Sequence, residues 1–283
     1  MTDNLFNQIL RNAQNTGTAI AAVNILNHIT TRAVIRAAEN ASRPVIIQPS
    51  VGTVKRYGVT AFADMVDSVR NEANVLVALH LDHCKDETLV KECVKAGWDS
   101  VMVDFSDLTF DENVLRTRRI VEFAHYYGVA VEGEIGIISG VEDDISHDTS
   151  ILASFEETME YVEKTGIDAV APAIGTAHGV YTGRPVINFN LVEQLGNHNI
   201  PVVVHGGTGL LVEDFSKLIR LGTAKVNIST ALKHIYLNTA KNLLMDEKIA
   251  PIPFDQAVED ACTDEIERFI RLFAGENVSL NII

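Results

Sequence analysis

Short apolar, β-branched runs alternate with longer amphipathic stretches along most of the chain, and that alternation restricts the fold more than any other feature. Runs at residues 19–24, 45–48, 75–81, 100–104, 130–134, 169–173, 202–204 and 224–228 read as strands. Runs this short and apolar suit strands covered on both faces, as in a parallel sheet. Between them, 30–41, 61–71, 87–96, 113–127, 155–164 and 212–221 repeat apolar residues at helical spacing. Gly97, Gly128, Gly166 and Gly222 stand where those helices should end. Strand and helix repeated eight times predict an α/β fold, the (β/α)8 TIM barrel, which typically needs about 250 residues. The 283 residues therefore fit a single domain, 1–283, with an additional C-terminal helix at about 254–273 that is available for subunit contacts. An open doubly wound sheet is the competitor. It places a glycine-rich turn after its first strand, whereas Ile25-Leu26-Asn27-His28 follows here.

The polar residues collect at one end of these runs. Asn24, Ser50, Asp82, His83, Asp104, Glu132, Glu134, His178, His205, Gly206, Asn227 and Thr230 all lie at strand C-termini or just beyond, the face where barrel active sites form. His83, His178 and His205 follow the third, sixth and seventh strands. Three neutral imidazoles with an open fourth position make a common catalytic zinc site; the alternative is that each hydrogen-bonds backbone. Asp82, beside His83, suits general acid/base work or the orienting of an imidazole. Asp104 and Glu134 offer carboxylates to a second metal position, or simply take part in hydrogen bonding among the residues of the barrel mouth. Glu142, in the long loop 136–154, is either a base carried on a lid or part of a solvated acidic turn. The other histidines carry no such argument: His80 lies inside a strand, His125 in a helix, and His28, His147, His198 and His234 read as loop or surface residues.

Gly206-Gly207-Thr208-Gly209 follows the seventh strand, and Asn227-Ile228-Ser229-Thr230 the eighth. Loops at those places often bind phosphate, because glycines admit the oxygens to backbone N–H groups and hydroxyls donate without net charge. The net charge of −15, with only 23 Lys and Arg, makes local capture of this kind necessary for an anionic substrate. The same charge argues against nucleic-acid and membrane partners. Three cysteines, Cys84, Cys93 and Cys262, fit neither a disulfide framework nor a Cys-x-x-Cys site, so a reducing cytoplasm is expected. The N-terminal stretch carries no targeting pattern, and no run is apolar enough to span a bilayer.

His80-Leu81-Asp82-His83, Val131-Glu132-Gly133-Glu134-Ile135-Gly136, Gly175-Thr176-Ala177-His178-Gly179, His205-Gly206-Gly207-Thr208-Gly209 and Val226-Asn227-Ile228-Ser229-Thr230 together resemble the class II, metal-dependent fructose/tagatose-bisphosphate aldolases, in order, from about residue 5 to 245. The resemblance implies a zinc ion on His83, His178 and His205, with Asp104 and Glu134 at an alternative metal position. It implies Asp82 as the acid/base at the C4 oxygen, and Glu142 as the group moving the proton at C3. Gly179, Gly206, Gly207, Thr208, Asn227, Ile228, Ser229 and Thr230 would hold dihydroxyacetone phosphate, with Asn24 and Ser50 on the rim and a monovalent cation, Na+ or K+, near the phosphate. A homo-oligomer, dimer or tetramer, acting on a small sugar phosphate is implied as well. The other aldolase solution, a Schiff-base lysine, needs a lysine inside the barrel; Lys225, the only strand lysine, is expected at the wrong end.

Several residues depart from the pattern. Ser229 and Ala231 stand where the fructose-bisphosphate branch commonly has acidic residues, Val141 replaces a Glu or Gln, Ile138-Ser139 blurs a glycine pair, and the tail after Lys248 matches poorly. The aldehyde half of the substrate is therefore open, with Ser50, Lys55, Arg56 and Arg268 as candidates for a second phosphate. A ketose 1-phosphate lacking that phosphate, or a sugar-phosphate-binding barrel without turnover, are the competing expectations. A metal-dependent barrel hydrolase is a third, but it would usually open with a His-x-His on the first strand, and Val23-Asn24-Ile25 has none.

Overall fold

The structure is a computed structural model. It describes residues 4–142, 145–147, 150–179 and 183–280, except the side chains of 141, 142 and 145–147. Its strands are β1 (Ile20–Asn24), β2 (Val45–Gln48), β3 (Val77–Cys84), β4 (Ser100–Val103), β5 (Ala130–Ile135), β6 (Ser139–Glu142), β7 (Ile145–His147), β8 (Ala169–Pro172), β9 (Ala177–His178), β10 (Val202–Val204) and β11 (Thr223–Ile228). Its helices are α1 (Leu5–Thr16), α2 (His28–Ala41), α3 (Val51–Tyr57), α4 (Val59–Arg70), α5 (Glu87–Lys95), α6 (Phe110–Tyr126), α7 (Phe155–Thr165), α8 (Phe189–Asn197), α9 (Val212–Arg220), α10 (Thr230–Leu243) and α11 (Pro251–Phe273).

Eight of the strands close into a barrel in the order β1-β11-β10-β8-β5-β4-β3-β2, and every pairing is parallel. This is the (β/α)8 barrel expected from the alternation. The strand period of two divides each strand between two cores. Outward residues such as Val23, Leu79, Leu81, Val131, Val226 and Ile228 pack with the helices. Several inward residues are small, Ala22, Ala78, Ala130, Ala169 and Ala171 among them. Their size leaves a gap that α1 fills, with Phe6, Ile9 and Leu10 pressed into the floor of the barrel. Asn4 caps α1 and also reaches Asp99 O and Gly128 O, so the plug is tied to the loops before β4 and β5.

The extra C-terminal helix is α11, which begins three residues earlier than expected and runs back along α2. The loop 136–154, expected as a lid, and the segment holding His178 instead contribute a small sheet at the mouth, in the order β7-β6-β9. It matters to the site because β6 pairs with β9 at Gly140↔His178. His28 is on the surface as expected, though at the start of α2, and His234 falls in α10 rather than in a loop.

Candidate active site

β3 is the strand that makes the site possible. Consecutive strand residues point to opposite faces, so Asp82 and His83 should not both look into the barrel. The register with β4 shifts between Leu81 and Cys84, and His83 takes a φ of 42°. Positive φ is costly for a residue with a Cβ and recurs at functional positions. Here the bulge turns both side chains toward the mouth, where both are buried.

His205 follows β10 and His178 ends β9, and their rings meet that of His83. Ring centroids lie 4.4 Å apart for His83–His205, 5.0 Å for His83–His178 and 6.0 Å for His178–His205. One donor nitrogen from each lies within 4.8 Å of the others. A second group meeting the same limit joins His83 to Asp104 and Glu134. The three nitrogens suit a divalent transition ion, and the carboxylates suit a harder neighbouring position. Burial pulls the His83 imidazole down, but Asp82, Asp104 and Glu134 outweigh it and push it up to about 10. Burial would raise Asp104, yet the His83 hydrogen bond at 3.2 Å holds it well below the usual carboxylate range. Glu134 is pushed well above its ordinary value, first by burial and then by Asp104. A cation placed among these groups would relieve the strained pair of carboxylates.

Asp82 is held from both sides by amides. Asn24 Nδ2 donates to Oδ2 at 2.7 Å, and Asn227 Nδ2 to Oδ1 at 3.2 Å. Gln48 Nε2 fixes Asn24 in turn, donating to its Oδ1 at 2.8 Å. The carboxylate therefore has one orientation beside the imidazoles.

The glycine-rich turn after β10 sits against β9 and β11. A Cβ on Gly206, whose φ is 68°, would lie 2.2 Å from Ala177 O, and one on Gly207 would lie 3.0 Å from Asn227 O. Only glycines allow this approach, which brings Gly206, Gly207 and Thr208 beside Asn227, Ile228, Ser229 and Thr230. Thr208 Oγ1 accepts from Ala231 N in the first turn of α10. Ser229 precedes α10 without capping it, and its Oγ, with Thr176 Oγ1 and Asn227 Oδ1, is buried without a hydrogen-bond partner. Uncapped N–H groups and spare hydroxyls together make an anion-binding surface. Gly179 follows β9 with a φ of 85°.

The remaining candidates are less central. Ser50, half-buried, caps α3 by accepting from Thr53 N. Lys55 and Arg56 are exposed on α3, and Arg268 bonds Glu265 within α11, toward the end where Phe273 O accepts from Ala19 N just before β1. Glu142 falls on β6, and its side chain lies outside the described residues.

Lys225 is not where the sequence reading expected it. Its side chain is fully buried inside the barrel, two residues below Asn227, with Nζ 2.8 Å from Glu132 Oε2. With Nζ held by the Glu132 carboxylate, Lys225 is not a free amine for the Schiff-base route. Glu132, placed on the rim from sequence, faces inward beneath it, and its other oxygen contacts His205. The alternation from Asn227 and from Glu134 was the signal that both residues point inward.

Residues 4–278 match the family described as Fructose-bisphosphate aldolase class-II, beyond the point where the sequence motifs end. A fructose-bisphosphate aldolase from Staphylococcus aureus strain Mu50 is 39% identical over 276 residues, covering 95% of this chain and 96% of the relative. One from Staphylococcus epidermidis strain RP62A is 36% identical over the same shares. The solved structure of the YdjI aldolase from Escherichia coli K12 aligns with a TM-score of 0.85 at 31% identity, over 96% of this chain and 97% of its own.

Proposed function

This chain belongs to the class-II fructose-bisphosphate aldolase family, and on that premise we propose that it reversibly cleaves fructose- or tagatose-1,6-bisphosphate to dihydroxyacetone phosphate and glyceraldehyde 3-phosphate, using zinc held by His83, His178 and His205. The observation that carries this reading is the meeting of three buried imidazoles from separate stretches of chain beside an amide-clamped carboxylate. When bound, the ion supplies Lewis-acid stabilisation of the negative charge that cleavage leaves on the ketone oxygen.

The chain's own residues do the rest. Gly179, Gly206, Gly207, Thr208 and Asn227 to Thr230 bind the C1 phosphate through backbone N–H groups, spare hydroxyls and the start of α10. Asp82, fixed by Asn24 and Asn227, takes the proton from the C4 hydroxyl as the C3–C4 bond breaks, and returns it in synthesis. Glu142 moves the proton at C3 from the loop above. Asp104 and Glu134 form an alternative metal position sharing His83, and a monovalent cation lies beside the phosphate loops. The reading takes the chain as a single-domain cytoplasmic protein that assembles as a homodimer or homotetramer.

A second reading concerns the distal half. Arg268 is committed to Glu265, and Lys55 and Arg56 are exposed, which favours a ketose 1-phosphate without a second phosphate as the alternative substrate. The test is release of dihydroxyacetone phosphate by zinc-replete protein from fructose and tagatose bisphosphates and from fructose 1-phosphate. The main reading expects the bisphosphates to have the higher kcat/KM, and a chelator to abolish turnover. Cleavage of none of them would reject both readings.

A further inference from the structure

The side of the mouth that faces the far end of the substrate carries a cation that the chemistry above does not use. In the ring of eight strands, β3 and β4 stand four places from β10 and β11, so they lie across the mouth from the turns proposed to hold the C1 phosphate. Asp82, proposed to act on the C4 hydroxyl, is itself on β3. Those two points set the direction of the sugar. A ketose with its C1 phosphate at the β10 and β11 turns and its fourth carbon at Asp82 carries its fifth and sixth carbons onward, over the loops after β3 and β4.

Lys85 directly follows β3, and Asp107 lies in the turn after β4. Lys85 Nζ donates to Asp107 Oδ2 at 2.9 Å, so one ion pair bridges these two loops. Lys85 is also near enough to the buried Asp104, just past β4, for its charge to act there. Each side chain of the pair is 42% exposed. A pair this open to water contributes little to stability and separates at little cost. The other candidates for a distal phosphate are less well placed. Lys55 and Arg56 are exposed on α3, after β2, and Arg268 is engaged by Glu265 on α11. In a chain of net charge −15, a second phosphate needs a cation beside it.

We propose that Lys85 is a specificity-determining residue for the distal half of the substrate, its Nζ exchanging Asp107 for the phosphate on C6. The inference rests on the proposed aldolase reading of the site. The flexible four-carbon stem of a lysine permits the exchange, and Asp107, left behind, is solvated by water. A distal hydroxyl offers Lys85 no charge in return for Asp107, so a ketose 1-phosphate leaves the ion pair intact. Lys85 accordingly discriminates by the charge on the sixth carbon and takes no part in breaking the C3–C4 bond.

Two measurements on zinc-loaded full-length protein test this. In steady-state kinetics, the ratio of kcat/KM for fructose or tagatose 1,6-bisphosphate to that for the corresponding 1-phosphate should fall about 10- to 100-fold in Lys85→Met, with the loss in KM rather than kcat. In calorimetry with hexitol phosphates, which have no ketone and are not cleaved, wild type should bind hexitol 1,6-bisphosphate more tightly than hexitol 1-phosphate, and Lys85→Met should lose that advantage. Lys85→Arg should keep most of the preference, since a guanidinium also pairs with phosphate. Equal losses for both ligands, an unchanged preference in folded Lys85→Met, or the same loss in Lys85→Arg overturns the proposal. Calorimetry also separates it from its premise: a hexitol bisphosphate advantage that disappears in Lys85→Met, in a protein whose wild type cleaves no ketose phosphate, would defeat the aldolase reading alone.

Discussion

At the scale of single residues, the site is a set of side chains each denied its freedom by a neighbour. Asp82 has an amide on each oxygen, Asn24 is held by Gln48, and His83 is fixed through Nδ1 by Asp104. Such clamping matters because general acid/base catalysis depends on reach and direction before it depends on proton affinity. Asp82→Ala tests whether the carboxylate moves a proton or only completes a binding pocket. As a proton carrier, its loss should lower kcat by about 10²- to 10⁴-fold while zinc content stays at the wild-type level. A barrel that merely bound sugar phosphate would show no such kcat to lose, and its affinity for dihydroxyacetone phosphate would change little.

At the scale of elements, the bulge at the end of β3 and the small sheet at the mouth convert separate stretches into one site. The barrel strands were legible because their covered faces force continuous apolar runs, and β2 and β10 have the bounds the sequence suggested. Asp82 and His83 were legible as a pair, but not the bulge and positive φ that let both face inward. The sheet β7-β6-β9 was not legible at all. Its β6–β9 pairing joins segments separated by dozens of residues, and the glycines beside them read locally as loop. Gly140 shows how much depends on that sheet. Its φ is 104°, and a Cβ there would lie 2.2 Å from His178 O, across the β6–β9 pairing. Gly140→Ala should therefore push β9 away and displace His178 while leaving the barrel closed. Zinc affinity by chelator competition should fall on the order of tenfold, with the far-ultraviolet spectrum unchanged. Wild-type affinity would mean that His178 is not positioned by this strand pair.

For the whole molecule, the mouth does the chemistry and the opposite end holds the barrel shut, so stability and activity should be separable by substitution at the floor. The plug α1 was missed in the sequence because its apolar face has no partner nearby in the chain; its partner is a set of inward residues, alanines from five strands among them. Asp168, fully buried before β8, connects this floor across the molecule. Its Oδ1 accepts from Asn7 Nδ2 of α1 at 2.8 Å, and its Oδ2 from His125 Nε2 of α6 at 2.7 Å and Val131 N at 2.9 Å. Burial opposes ionisation of Asp168, but these donors, His125 foremost, hold its carboxyl below the ordinary value. In Asp168→Asn the amide NH₂ would face a donor whichever way it turned, at a cost of about 2 kcal/mol, or roughly a 5 °C lower Tm near pH 7. The folded-state proton affinity is the depressed one, so the carboxylate's contribution is complete above the unfolded value, about 4, and fades as pH falls through the folded value. The Tm gap between wild type and Asp168→Asn should therefore be widest at neutral pH and narrow below about pH 4, with kcat/KM at neutral pH unaltered in the folded protein. A gap that stays constant down to the lowest pH at which the protein folds would show that the carboxylate is not ionised in this network, and that shape alone ties α1 to the barrel.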